Sequence, residues 1–187
     1  MDKHGYKNAA GRSKIKELVI YALFAALTAA AAQIYLPLPF TPVPVNLSTL
    51  AVMLSGVLCS LKFKPGGFIP LFIYIALGAV GLPVFAGFKG GFGVIAGPTG
   101  GYIIGYVFIT AAGVFLCGKK KLQNALALAF GIALCYTCGA AWFMLATGNG
   151  LRQSLVMCVF PFIAGDILKT LSAVIIADRL KPLLMKF

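Results

Sequence analysis

The chain has 187 residues, 60% of them apolar and only 11% charged, with a mean hydropathy of +0.97. Soluble domains hold about 45–50% apolar residues, glycine included, and about 25% charged ones, and a globule of this length lacks the interior to hide such a surplus. These values exclude a water-soluble enzyme, a disordered chain and a disulfide scaffold, and they leave an integral membrane protein with room for about six spans.

Residues 1–16 are polar and basic, with Lys3, Lys7, Arg12, Lys14 and Lys16, and are expected to form a mobile cytoplasmic tail ahead of a single six-helix membrane domain over 17–187. The first apolar segment covers 18–36. Its basic approach and alanine-rich 28–32 stretch resemble a cleavable signal peptide, but the apolar run continues to Leu36 and is long enough to be a retained span. Ala22, Ala26 and Ala30 recur at spacing four, a smooth stripe against which another helix can dock. Residues 37–44 carry four prolines, which remove backbone donors and fix φ, so this loop is not helical.

Segments 47–61 and 67–80 follow, both short against the roughly 20 helical residues that the hydrocarbon core requires. Short helices leave space for a cavity or a local dent in the bilayer. The loop 81–99 is rich in glycine yet also holds Val84, Phe85, Phe88, Phe92 and Ile95. A long, apolar, irregular connection folds over something; it is read as a lid. Gly97, Gly101 and Gly105 then permit close helix approach at the start of segment 100–116, and Thr99 with the N–H groups of 99–102 is expected to cap that helix. A phosphate loop is the competing reading, but the Lys-Ser/Thr pair it needs is missing.

Segment 122–147 contains Cys135 and Cys138 on one helix face, a spacing compatible with a redox or metal pair or simply with packing. The lone histidine, His4, lies in the N-terminal tail, which leaves zinc short of ligands. Trp142, Tyr136, Tyr74 and Tyr106 read equally well as packing, belt or binding aromatics. The last segment, 153–180, carries the sharpest signal: Asp166 and Lys169, three residues apart and therefore on one face, in the middle of an apolar run. Each charge costs a few kcal/mol at the bilayer centre, so both must face the bundle interior. They form either a structural ion pair or a site for a small zwitterionic or anionic solute. Pro161 is expected to kink this helix and free a carbonyl nearby.

The net charge of +12 would suggest nucleic acid in a soluble chain. Here the basic residues sit in short clusters between apolar runs, with no aromatic-interleaved basic face, and nucleic acid is not an expected partner. Thirteen Lys and Arg fall in the tail, the 61–66 and 117–121 turns and the C-terminal end, against Lys89 and Arg152 in the other loops. That bias places both termini in the cytoplasm and requires an even number of spans, six. No Ser-His-Asp set, metal cluster or ATPase motif can be assembled, so any uphill transport must draw on a partner or a gradient.

Three segments together, Gly81-Leu-Pro-Val-Phe-Ala-Gly87, Gly97-Pro-Thr-Gly-Gly-Tyr102 and Gly165-Asp166-Ile-Leu-Lys169, closely resemble the signatures of the BioY family. These are the biotin-specific substrate-capture (S) components of energy-coupling factor transporters of prokaryotic cytoplasmic membranes. The proline-rich loop and alanine-rich first helix match in place, and the likeness covers roughly 17–181. The resemblance implies an all-α, six-helix, non-enzymatic transport subunit with no cofactor, holding biotin on its outer side beneath the 81–99 lid. It implies substrate contacts from Asp166, Lys169, Phe85, Thr99, Gly100, Gly101 and Tyr102, with Asp166 at the ureido ring and Lys169 toward the carboxylate. It also implies that Ala22, Ala26 and Ala30 dock on a transmembrane coupling subunit, completed by two cytoplasmic ATPases. The alternative is a stand-alone facilitator or channel for biotin or another carboxylate-bearing vitamin. An amide suited to a ureido group is missing from 81–99.

Overall fold

A computed structural model describes residues 3–61 and 64–186; Lys62, counted among the topogenic charges, lies outside them. The chain folds as helices α1 (Lys3–Gln33), α2 (Ser48–Cys59), α3 (Ile69–Ala79), α4 (Phe92–Ala96), α5 (Gly100–Ala111), α6 (Lys121–Thr147), α7 (Leu151–Cys158) and α8 (Phe160–Lys186). Strands β1 (Tyr35–Leu38) and β2 (Thr41–Asn46) form an antiparallel hairpin between α1 and α2. A 3-10 turn over 64–68 leads into α3, and a π-helical turn over 112–116 extends α5.

Three helices among the described residues are long and apolar enough to cross a membrane: Lys14–Gln33, Lys121–Thr147 and Phe160–Leu184. Three shorter apolar ones, Ser48–Cys59, Gly66–Ala79 and Gly100–Leu116, complete the bundle. The architecture is thus a multi-span, all-α membrane fold carrying one small hairpin. Its surface is inverted relative to a soluble protein: Leu18, Leu23, Phe72, Phe115, Leu126, Leu168 and Leu171 all point outward, as lipid-facing positions do.

Helix α2 is the hub. Apart from Ser48, Thr49 and Ser55 its sequence is apolar or glycine, as in a helix with no solvent face, and ten of its twelve residues are buried between α1, α5 and α8. Glycines set the closest approaches. A Cβ on Gly101 would stand 2.3 Å from Cβ of Trp142, and one on Gly105 would stand 2.8 Å from Sγ of Cys135. Gly131 and Gly139 of α6 return the favour against Ile109 and the Tyr102 ring, so α5 and α6 meet almost backbone to backbone.

Several boundaries differ from those read in the sequence. Helical backbone begins at Lys3, inside the expected tail, and α1 ends at Gln33, so Tyr35 and Leu36 belong to β1. The prolines of 37–44 do exclude helix; they sit instead in a two-stranded ribbon, where strand edges tolerate missing N–H groups. The final apolar segment is two helices, α7 and α8, broken at Val159. Pro161 therefore starts a helix and does not kink one: in the first turn its missing N–H costs nothing, whereas a continuous helix would press its ring on the carbonyl four residues back. Loop 81–99 is partly ordered by its own geometry, with Phe85 and Lys89 exchanging backbone hydrogen bonds of 2.9 and 3.3 Å and α4 closing its second half.

Candidate functional site

The 12-residue α2 rises only about 18 Å, against a hydrocarbon core of about 30 Å. The shortfall of α2 and α3 leaves one end of the bundle to the hairpin and the 81–99 segment. Irregular backbone in a membrane fold is stable where it lines a cavity, and both segments line one here. The cavity is open at one side, its space and the solvent-filled mouth together spanning about 810 Å³, and it is walled by β2, α2, α3, the 81–99 segment, α5, α6 and α8. Most of its wall is apolar or aromatic: Val43, Tyr74, Phe85, Tyr102, Ile103, Tyr106, Ile132 and Phe162.

Asp166 and Lys169 lie on this wall, both buried, joined by a 2.7 Å ion pair. Tyr136 donates its hydroxyl to Asp166 Oδ2 at 2.5 Å, and Lys169 Nζ also donates to Thr49 Oγ1 at 3.3 Å. An ammonium carries three donors and a carboxylate about four acceptor sites. One donor on Lys169 and unused lone pairs on Asp166 therefore remain for a bound molecule. Helix α8 holds the pair in place from behind, through Thr170 Oγ1 donating to the Asp166 carbonyl at 2.7 Å.

A second polar chain approaches from α2 and β2. Asn46 Oδ1 accepts from the Ser48 N–H at 3.1 Å and from Ser48 Oγ at 2.5 Å. With its one proton committed, Ser48 must accept from Tyr106 Oη at 2.6 Å. This relay fixes the Asn46 carboxamide on the cavity wall. Over the cavity, Phe85 is 2% exposed, packed edge-on to Tyr74 at 5.4 Å, and seated where any Cβ on Gly78 would collide with its ring. Lys89 lines the same cavity from an exposed position near its mouth.

Of the residues singled out in the sequence, Asp166, Lys169, Phe85, Thr99 and Tyr102 line the cavity together. Gly100 and Gly101 do not. They are packing glycines, pressed on the Ile95 carbonyl and on Trp142. Thr99 occupies the N-cap position of α5 without capping it; its hydroxyl donates to the Val94 carbonyl at 3.5 Å. The carbonyl released by the α7–α8 break belongs to Cys158 and is taken by Tyr102 Oη at 2.5 Å. Ala22, Ala26 and Ala30 are all exposed on α1, away from the cavity. Cys135 is buried with its thiol 3.8 Å from the Tyr102 carbonyl, and no metal-holding cluster occurs among the described residues.

Sequence reading missed Thr49, Asn46 and Gln33, and it left Tyr136, which lines the cavity, open between packing, belt and binding roles. No amide lies in 81–99; Asn46 reaches the cavity wall from β2, and Gln33 of α1 hydrogen-bonds to the backbone of the 81–99 segment. Sequence separation hides them: Lys169 and Thr49 are 120 positions apart.

The fold and this cavity define a class: a multi-span membrane protein with an apolar cavity carrying a few buried polar anchors, the kind of wall that suits a small solute. The particular family follows from comparison. The BioY family model matches residues 5–186. The probable biotin transporter BioY of Pyrococcus horikoshii is 43% identical over 168 residues, covering 90% of this chain and 98% of that relative. The biotin transporter BioY of Thermotoga maritima is 36% identical over 172 residues, with the same shares. A crystal structure of the S-component for biotin from an ECF-type ABC transporter superposes with a TM-score of 0.82 at 29% identity, covering 91% of this chain and 93% of that one. The chain belongs to the BioY family.

Proposed function

We propose that this protein captures biotin at high affinity as the S component of an energy-coupling factor transporter in a prokaryotic cytoplasmic membrane. It is a multi-pass transport subunit, not an enzyme, and biotin is its cargo. In our reading it crosses the membrane six times, with three long and three short spans, keeps both termini in the cytoplasm, and binds its solute at the outer end beneath the 81–99 lid. The thirteen-to-two bias of basic residues supports that orientation. The exposed Ala22, Ala26 and Ala30 stripe faces a transmembrane coupling subunit served by two ATPases.

The observation that carries the reading is the buried Asp166–Lys169 pair on the wall of an otherwise apolar cavity roofed by Phe85. Biotin has two distant polar ends, a cyclic urea and a carboxylate, joined by an apolar tail. Since Asp166 and Lys169 are 2.7 Å apart, both must serve the same end. This revises the division suggested by sequence. A cyclic urea presents N–H donors beside a carbonyl acceptor, and that pattern matches a carboxylate next to an ammonium. The carboxylate of the tail then falls to Lys89 near the mouth. Binding of biotin and of its uncharged tail amide to detergent-purified protein tests this. Tight, Asp166-dependent binding of both, with a preference for the acid that disappears in Lys89→Ala, is expected. Weak binding unaffected by Asp166→Asn overturns the site.

A further inference from the structure

The 81–91 segment is hinged on α3 at both ends, by Leu82 N–H to the Leu77 carbonyl at 3.1 Å and by Gly91 N–H to the Gly78 carbonyl at 2.7 Å. Between the hinges its tip, 83–88, folds on itself and drops Phe85 onto the cavity. Among the described residues, one side chain from outside the segment hydrogen-bonds to this tip. It is Gln33, in the last turn of α1. Its Nε2 lies 3.1 Å from the Val84 carbonyl, 3.2 Å from that of Phe85, 3.5 Å from that of Pro83 and 3.2 Å from that of Ala29 in its own helix. Its Oε1 accepts the Phe88 N–H at 2.9 Å.

We infer that Gln33 is the latch that keeps the 83–88 tip closed over the cavity, so that the lid opens only by parting from the last turn of α1. The inference rests on the reading of this cavity as a biotin site under a lid. A carboxamide is the side chain this task demands, because it donates to carbonyls and accepts an N–H at the same time. A glutamate of the same length only accepts, and a methionine does neither. Phe88, whose N–H is held, stands at φ 55°, a conformation that a bulky residue avoids. Gln33 thus fastens the point of the tip most inclined to relax. The latch also shares a rod with the exposed alanine stripe: α1 runs unbroken from Lys3 to Gln33, so a partner pressing on Ala22, Ala26 and Ala30 bears on the helix that carries the latch.

A latch differs from a ligand contact in kinetics, because it governs passage both ways. With Gln33→Met and Gln33→Glu, labelled-biotin association and dissociation rates are each expected to rise about tenfold, the effect of losing one to two net hydrogen bonds, while Kd changes by less than about threefold. Unchanged rates overturn the inference, as does weaker Kd with unchanged association, which would make Gln33 a ligand contact or a structural residue. Hydrogen exchange on the free wild-type protein decides the matter without ligand or variant. The Phe88 amide is expected to be protected although its side chain is 70% exposed, and exchange there at the unprotected rate overturns the latch. Failure of the wild type to bind biotin would instead sink the functional reading and leave the exchange result standing.

Discussion

Replacing Asp166 by asparagine separates what the buried pair does for the fold from what it does for the solute. The change is nearly isosteric and keeps an acceptor for Tyr136. It removes the partner of Lys169, leaving a buried ammonium with Thr49 alone at 3.3 Å. Breaking a buried pair from one side costs about 3–5 kcal/mol, and at roughly 2–4 °C per kcal/mol for a chain of this size the melting temperature should fall by about 6–20 °C. Loss of one charge-assisted hydrogen bond to biotin, about 1.5–3 kcal/mol, should weaken binding by about 10- to 150-fold. The double variant Asp166→Asn/Lys169→Met is the decisive one. With no orphaned charge left, stability should recover most of the loss, while binding should fall further. Thermal unfolding in detergent and equilibrium biotin binding measure the two quantities on the same preparation. A double variant that binds biotin like the wild type would reduce the pair to a packing device and refute the reasoning.

Other expectations follow from the same geometry. Gly101→Ala pushes a methyl into Trp142 and the Cys138 carbonyl, so it should lower stability by about 1–3 kcal/mol, seen as a lower unfolding temperature with the α5–α6 contact loosened. Phe85→Ala removes a side chain that is 2% exposed; dissociation of biotin should quicken by at least tenfold, and stability should drop by about 3–5 kcal/mol, read by off-rate and melting measurements. Ala22→Arg with Ala26→Arg adds bulk and charge to an exposed face, so cellular uptake should be abolished while the purified protein still binds biotin. Unimpaired uptake would favour a facilitator working without partners.

Much of this protein is legible along the chain because lipid imposes simple rules. A residue in hydrocarbon must be apolar or partnered, so the membrane class, most helical segments, the non-helical proline loop and the exceptional status of Asp166 and Lys169 all follow from local composition. Helix ends were less readable. The break at Val159 depends on how Pro161 is accommodated, and a proline in an apolar run is equally compatible with a kink or a fresh start. Gly100 and Gly101 shared a motif with true cavity residues, yet adjacent positions on a helix point in different directions.

Hydropathy, spacing and charge bias, each a property of neighbouring residues, were enough to settle the solvent this chain lives in and the pair of charges around which it is organised. Contacts between distant segments supply everything that surrounds those charges: Tyr136 and Thr49 as their companions, Asn46 held by a relay through Ser48, Gln33 hydrogen-bonded to the 81–91 segment 50 and more positions away. The reason is that a lone side chain carries its chemistry in its own atoms, but the dry, shaped space that gives that chemistry a purpose exists only where several helices of unequal length come together.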